Sequence, residues 1–474
     1  MTTAEILVTN GVVVTMDPDR RVYEDGAVAI EGRDIVEVGP TEEVTANMDA
    51  ERLIDATGQL VMPGLVNTHV HVPDILYRGR GKERSLHDWL VNVKQPFVAA
   101  MNAEDHQLAA TLYCREALLA GVTTFVENAG GTGTGYDPSV VEAKLDVYDE
   151  MGIRNVYAPA FLDREMDPAL SRYVECQQRK APDVAHVEGP LPETDDALSR
   201  VESLIREYHG TANGRQSVWP APFLAWGVTP EGLAGAVELA ETYDVMTTTH
   251  TAESPQQERH LASSVEYLDS ADYLGERTLL GHCVQLSEAD IRLLAATDTR
   301  VAHNVVTNCS LGTGVAPVPT MLQYGVTVGL GTDNIDQNDT VNLLSDMRFA
   351  GTVHKAARQD PAAMTAEQVL AMATIDGARA IGRADDLGSL ERGKTADLVL
   401  LDLERPHLTP YSDVASLLVY QVQGTEVTTV LCNGSLVVEG RSLSVESTHL
   451  PDSRQRLFDR CAELASESGI DSLD

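Results

Sequence analysis

The sequence predicts an α/β chain: a (β/α)8 TIM barrel joined to a small composite β-sandwich drawn from both chain ends. Three observations predict it. The middle of the chain alternates apolar strand patterns with amphipathic helical ones about eight times. Each end carries a few strand-like runs, too few for a stable sheet on its own. The 474 residues exceed what one small core organises. The expected division is a sandwich from 1–59 and 385–446, a barrel over 60–384, and an acidic helical tail over 447–474.

Taken in order, Ile6–Val14, Ala27–Ile30 and Ile35–Val38 read as short strands, with Asn10-Gly11 and Glu31-Gly32 as turns. Barrel strands are expected at Leu65–His71, Thr123–Asn128, Asn155–Ala160, Pro222–Trp226, Val245–His250, Thr278–His282, Arg300–Asn304 and Val326–Asp333. Between them Gln107–Ala120, Pro138–Met151, Pro230–Tyr243 and Ser287–Ala296 read as helices, and Gly121, Gly152 and Gly325 stand where helices stop. Thr365-x-x-Gln368 reads as a capping box. Asp397–Leu401, Val427–Cys432 and Leu436–Val438 close the pattern, with Asn433-Gly434 as a hairpin turn. Two long connections, 72–104 and 161–216, leave the ends of the first and third strands and are expected to act as lid or pocket wall. An open doubly wound sheet is the competing architecture. Pro451–Asp474 reads as an acidic helix without chemistry.

Composition narrows the function. No window approaches the apolar length of a membrane span, and the first residues lack a basic leader followed by an apolar core, so a cytoplasmic location is expected. Six scattered cysteines, none in a C-x-x-C pair, suggest reduced thiols rather than a disulfide framework or a zinc-thiolate site. The net charge of −37 arises from 72 acidic against 35 basic residues, spread along the whole chain. It reads as adaptation to high salt, where screening suppresses self-repulsion. The same charge disfavours nucleic acid as a partner, because phosphate contacts need basic surface.

Four strand ends carry the chemistry. His69 and His71, two residues apart on a strand, face the same side. His250 ends the fifth strand, with Glu253 three residues later; His282 ends the sixth and Asp333 the eighth. An H-x-H pair alone is weak, but in a barrel all these side chains converge on the mouth. Imidazoles with one carboxylate suit a single Zn2+ or Fe2+ with a position open for water. His69, His71, His250 and Asp333 are the expected ligands. Such an ion lowers the pKa of water from ~15.7 toward ~7. Glu253 is the expected proton shuttle and His282 the residue that steadies the attacking oxygen, while Asp333 can accept the water proton. No lysine lies around Phe223–Trp226 to be carboxylated into a bridging ligand, which disfavours a two-metal site.

At this point the chain resembles the amidohydrolase superfamily, in its branch of methylthioadenosine/S-adenosylhomocysteine deaminases and triazine chlorohydrolases. The resemblance is carried by PGLVNTHVH, SLHDWL, AGVTTF, HTAES, GHCVQLS, VAHN, GLGTDN and GARAIGRADDLGSLERGKTADLVLLDL, and it runs over nearly the whole chain up to Pro451. It implies the barrel with its composite sandwich, one divalent ion, usually Zn2+ or Fe2+, and a dimer or larger homo-oligomer. It also implies a hydrolytic deaminase of an amino-substituted purine, pyrimidine or nucleoside-like ring, with a triazine chlorohydrolase or N-alkylaminohydrolase as the alternative. A non-catalytic scaffold on the same fold is the remote reading. Substrate-contacting positions depart from the nucleoside deaminases. Ala225-Trp226-Gly227-Val228-Thr229-Pro230 lacks their histidine, Pro159 stands where an arginine is usual, and Val301–Asn308 lacks their proline. Trp89, Phe161 and Trp226 instead suggest a flatter, more apolar pocket, with His303 and Asn304 as further expected substrate contacts.

Overall fold

The eight parallel strands form a ring in this computed structural model, which describes residues 2–130, 134–164, 192–259, 263–445, 450 and 454–470. Leu65–His71 pairs with Val122–Ala129, which pairs with Arg154–Phe161. The fourth strand, split into Gln216–Val218 and Ala221–Pro222, lies beside the third. Thr247–Thr251, Thr278–His282, Arg300–His303 and Val328–Leu330 follow in parallel order. Two junctions turn the row into a ring. Asp333 and Asn334 pair with Val70 and His71, and Leu224 bridges to His250. An open doubly wound sheet would leave both junctions unmade.

Local sequence explains where strands depart from expectation. The fourth was predicted over Pro222–Trp226 but ends at Pro222, and Ala225–Gly227 forms a 3-10 turn. Pro220 and Pro222 each remove a ladder donor, so past them only single bonds continue the pairing, such as Phe223 N to the Phe161 carbonyl at 2.8 Å. The eighth breaks after Leu330 and resumes at Asp333. Gly331 sits in the break because a Cβ there would lie 2.8 Å from His69 Cβ and 2.4 Å from Asn304 Oδ1. Helix Ala103–Leu119 begins earlier than its apolar periodicity, because Asn102 and Asp105 form a reciprocal capping box. The box expected at Thr365 and Gln368 is present, opening Ala366–Ala373.

Strands from both chain ends hydrogen-bond directly into one nine-stranded sheet. Leu398–Asp402 runs antiparallel to Gln59–Pro63, with Val399 opposite Met62. Period-two alternation gives each face its own core: Val8, Val28, Ile30 and Leu398 on one side, Leu7, Ala27, Ala29 and Val44 on the other. The Asn433-Gly434 hairpin forms as expected. Asn10-Gly11 does not turn the chain. It lies inside Thr2–Val14 as a register shift, Asn10 having φ +63°. Met48–Asp55 was not predicted as a strand because most of its side chains are exposed, which erases the apolar signal. The buried Arg154 fastens barrel to sheet by pairing with Asp397 and donating to Asn433 Oδ1 at 3.1 Å.

The connection over 72–104 folds into short helical pieces, Val72–Tyr77, Leu86–Trp89, Leu90–Lys94 and Gln95–Ala100. Of the expected lid over 161–216, residues 165–191 lie outside the described residues. Helix Arg454–Glu467 docks through a bidentate contact of Arg460 with Asp105, both distances 2.8 Å. Among the described residues no helix is long and apolar enough to cross a membrane.

Candidate metal and catalytic centre

The ring brings His69, His71, His250, His282, Glu253 and Asp333 together at the C-terminal ends of the strands, all buried. His69 Nε2 and His71 Nε2 lie 3.4 and 3.5 Å from Asp333 Oδ1. His71 Nε2 lies 3.2 Å from His250 Nε2. His282 Nδ1 is 3.7 Å from Glu253 Oε1 and 3.9 Å from Asp333 Oδ2. Two overlapping triads, His69–His71–His250 and His69–His282–Asp333, each place their donor atoms within 4.8 Å of one another.

The backbone aims these groups. His282 and Asp333 have φ of +72° and +58°, a left-handed conformation unusual for side-chain-bearing residues. Each turn costs about 1–3 kcal/mol, and it directs the side chain off the strand end into the shared space. Gly281 makes room for His69, whose Cε1 would lie 3.2 Å from a Cβ at that position. Asn67 ties the closing strands, accepting from the Thr332 amide at 3.1 Å and donating to Thr332 Oγ1 at 2.8 Å.

Hydrogen bonds set the tautomers. His71 Nδ1 donates to the Asn128 carbonyl at 2.8 Å, and His250 Nδ1 donates to the Phe223 carbonyl at 2.7 Å. Both Nε2 atoms therefore turn a lone pair toward the other. Burial holds His69 and His250 down to about 3, and His71 and His282 well below the ordinary imidazole range. All four are neutral at pH 7, the form in which imidazole is a ligand. His69 Nε2, His282 Nε2 and both Asp333 carboxylate oxygens are buried without a hydrogen-bond partner. A divalent cation fits this donor set, since it satisfies orphaned oxygens and facing lone pairs together.

Glu253 sits in the loop after the fifth strand. Gln257 steadies it, accepting from its backbone amide at 2.9 Å and donating to Oε2 at 3.4 Å. Burial first, then the nearby Asp333 charge, pushes its carboxyl up to about 8. At pH 7 it holds a proton it can deliver.

A cavity of about 590 Å³ opens onto this cluster, its lining including His71, His250, Glu253 and His282 with Leu86, Trp89, Leu90, Phe223, Leu224, Trp226 and Leu311. Trp89 and Trp226 line it. Phe161, His303 and Asn304 do not. Phe161 shares the strand parity of Tyr157 and packs outward into the core beneath the helices. His303 also faces outward, its Nε2 3.0 Å from Nε2 of His354 on helix Leu343–Arg358. Asn304 lies beneath His282: its Nδ2 is 3.4 Å from His282 Nδ1, and Asn308 Nδ2 is 3.1 Å from the same atom.

Sequence reading missed a second polar group at the cavity wall. The Lys94 ammonium lies 3.0 Å from Asp74 Oδ2, donates to Asn334, and sits 5.2 Å from the Trp89 ring centroid. Trp89 Nε1 donates to Asp336 Oδ2 at 2.6 Å. Asn128 was missed as well, although it touches two histidines: its carbonyl meets His71, and its side-chain amide lies 2.9 Å from His69 Nδ1. The only local signal for either group was polar residues inside otherwise apolar stretches.

This ring of strands with a histidine and carboxylate cluster at its mouth defines a class of barrel hydrolases, and the comparisons assign the chain within it. The model of the Amidohydrolase family matches residues 60–437. The chain belongs to that family. It is 34% identical over 468 residues to an S-triazine hydrolase of Gordonia rubripertincta, covering 97% of this chain and 95% of that one. It is 34% identical over 445 residues to a 5-methylthioadenosine/S-adenosylhomocysteine deaminase of Pelotomaculum thermopropionicum, covering 93% and 94%. Among solved structures it resembles an adenosine deaminase from Xanthomonas campestris with bound zinc, at TM-score 0.84 and 27% identity, covering 98% of this chain and 99% of that chain.

Proposed function

We propose that the protein is a metal-dependent hydrolytic deaminase of an amino-substituted nitrogen heterocycle, releasing ammonia. The observation that carries this reading is the buried Glu253 carboxyl beside a cluster of histidines around Asp333, in a cavity with aromatic walls. His69, His71, His250 and Asp333 would hold one divalent ion, with zinc the first candidate. When bound, the ion supplies Lewis acidity, which makes water nucleophilic at neutral pH.

The chain's own residues do the rest. Trp89, Phe223 and Trp226 bind and orient a flat ring by stacking and exclude water from its faces. Asp333 accepts a proton from the attacking water through a carboxylate oxygen that has no other partner. Glu253 delivers a proton to a ring nitrogen or to the departing nitrogen. His282, braced from below by Asn304 and Asn308, steadies the charge that develops on the attacking oxygen. Trp89 and Trp226 thus stand as the proposed substrate contacts, without Phe161, His303 or Asn304.

Displacement of chloride or an alkylamine from a triazine is the second reading. The mainly apolar wall of the cavity and the S-triazine hydrolase relative favour it. Metal-loaded enzyme screened against nucleobases, nucleosides and triazines, with ammonia and chloride both followed, separates the two. Release of neither from any of these classes would overturn both readings. The protein is also proposed to be cytoplasmic, adapted to high salt and a homo-oligomer. Cell fractionation, stability against salt and light scattering test these in turn.

A further inference from the structure

We infer that the end of the barrel opposite the metal cluster carries a second binding site, for a small phosphorylated molecule or free phosphate. A cavity of about 480 Å³ lies there among residues that open the barrel strands, and it shares no lining residue with the catalytic cavity. Arg154 opens the third strand, Arg277 precedes the sixth, Arg300 opens the seventh, and Arg383 follows helix Ile375–Ala380. Four guanidiniums line this one space against two carboxylates, Asp244 and Glu276, in a chain whose acids outnumber its bases two to one.

The carboxylate partners do not exhaust these cations. Arg154 is committed to Asp397, Arg277 pairs with Asp244 at 2.7 Å, and Arg383 reaches Asp386. Arg300 has no carboxylate within ion-pair distance among the described residues. Its Nη1 meets only the Met246 thioether, at 3.6 Å. Burial pulls its guanidinium below the ordinary value, more than the nearby Glu276 and Asp298 charges raise it. Gly382 keeps the space open: a Cβ there would lie 2.9 Å from Met246 Sδ and 3.3 Å from Arg300 Nη1. Asn155, fully buried on the cavity wall, has neither its amide oxygen nor its amide nitrogen hydrogen-bonded, and Arg154 Nε is also without a partner.

Unpaired guanidinium and amide donors around a cavity of this size match a small oxyanion or phosphate ester. Barrel enzymes keep their chemistry at the other end, so nothing in turnover calls for this arrangement.

The test is calorimetric titration of the full-length, metal-loaded enzyme with inorganic phosphate and with ribose 5-phosphate, at one fixed potassium chloride concentration. Ribose 5-phosphate carries no nitrogen heterocycle to enter the catalytic cavity. Saturable binding of one anion per chain is expected, weakened about tenfold or more by Arg300→Gln. Basal turnover is expected to stay unchanged, since Arg300 does not line the catalytic cavity. Tighter binding of the ester identifies an organic ligand, and equal binding identifies the free anion; both support the site. Should Arg300→Gln fail to fold, Arg383→Gln at the more exposed rim carries the comparison. Absence of saturable binding in the millimolar range, or affinity unchanged in the folded variants, overturns the proposal.

Discussion

His71 Nε2 and His250 Nε2 face each other across 3.2 Å, each ring donating its Nδ1–H to a backbone carbonyl on the far side. Two buried lone pairs at that distance repel unless a cation lies between them. Chelation is therefore expected to abolish turnover and lower the melting temperature, because ligand binding to the native state alone stabilises it. Metal analysis should give about one ion per chain, falling in His71→Ala and His250→Ala. A chain that melts identically with and without chelator would contradict this.

Glu253→Gln keeps the shape of the side chain and removes its transferable proton. Turnover is expected to fall about 10²–10⁴-fold, with metal content unchanged. Because the carboxyl is held up to about 8, its acid form dominates at pH 7 and is lost above that value. The wild-type rate should therefore decline on the alkaline side, and a rate profile against pH reads it directly.

Lys94 and Asp74 form a buried ion pair beside the catalytic cavity, with side chains 9% and 1% exposed. Removing one partner leaves the other charge uncompensated. Lys94→Met is expected to cost about 3–5 kcal/mol, and the Lys94→Met, Asp74→Asn double variant less. Denaturant midpoints for both singles and the double measure the coupling; additive losses would show that the pair is not coupled.

Protonation of the His303–His354 pair opposes folding. Burial holds His354 down to about 4 and His303 well below its ordinary value, while both titrate near 6.5 when unfolded. A lowered folded value means that the unfolded chain binds protons first. The contribution is thus complete above about 6.5 and is lost as pH falls toward 4. His354→Gln should flatten the decline of stability over that window, as seen in melting temperature against pH.

The net charge of −37 predicts that stability falls on desalting, because repulsion is screened only beyond a Debye length, and that length grows as salt is removed. Melting temperatures in molar and millimolar potassium chloride check it. Equal values would remove the argument for high-salt adaptation.

Much of the centre was legible because a β-strand turns sequence spacing into direction. His69 and His71 share a face through the period of two, and His250, His282 and Asp333 lie at or just beyond the ends of runs that mark barrel strands. The glycines of Gly281-His282 and Gly331-Thr332-Asp333 were visible as well, although only the packing shows that His69 needs the room. Contacts that join distant parts of the chain left no periodic trace. The approach of Lys94 to Asp74 and Asn334, the outward turn of His303 toward His354, and the arginine-lined cavity below the barrel depend on ring closure, not on local pattern. The sequence by itself determined which residues end the strands, since propensity and alternation are local. Which of those residues face one another, and which turn away, was decided only when the eighth strand met the first.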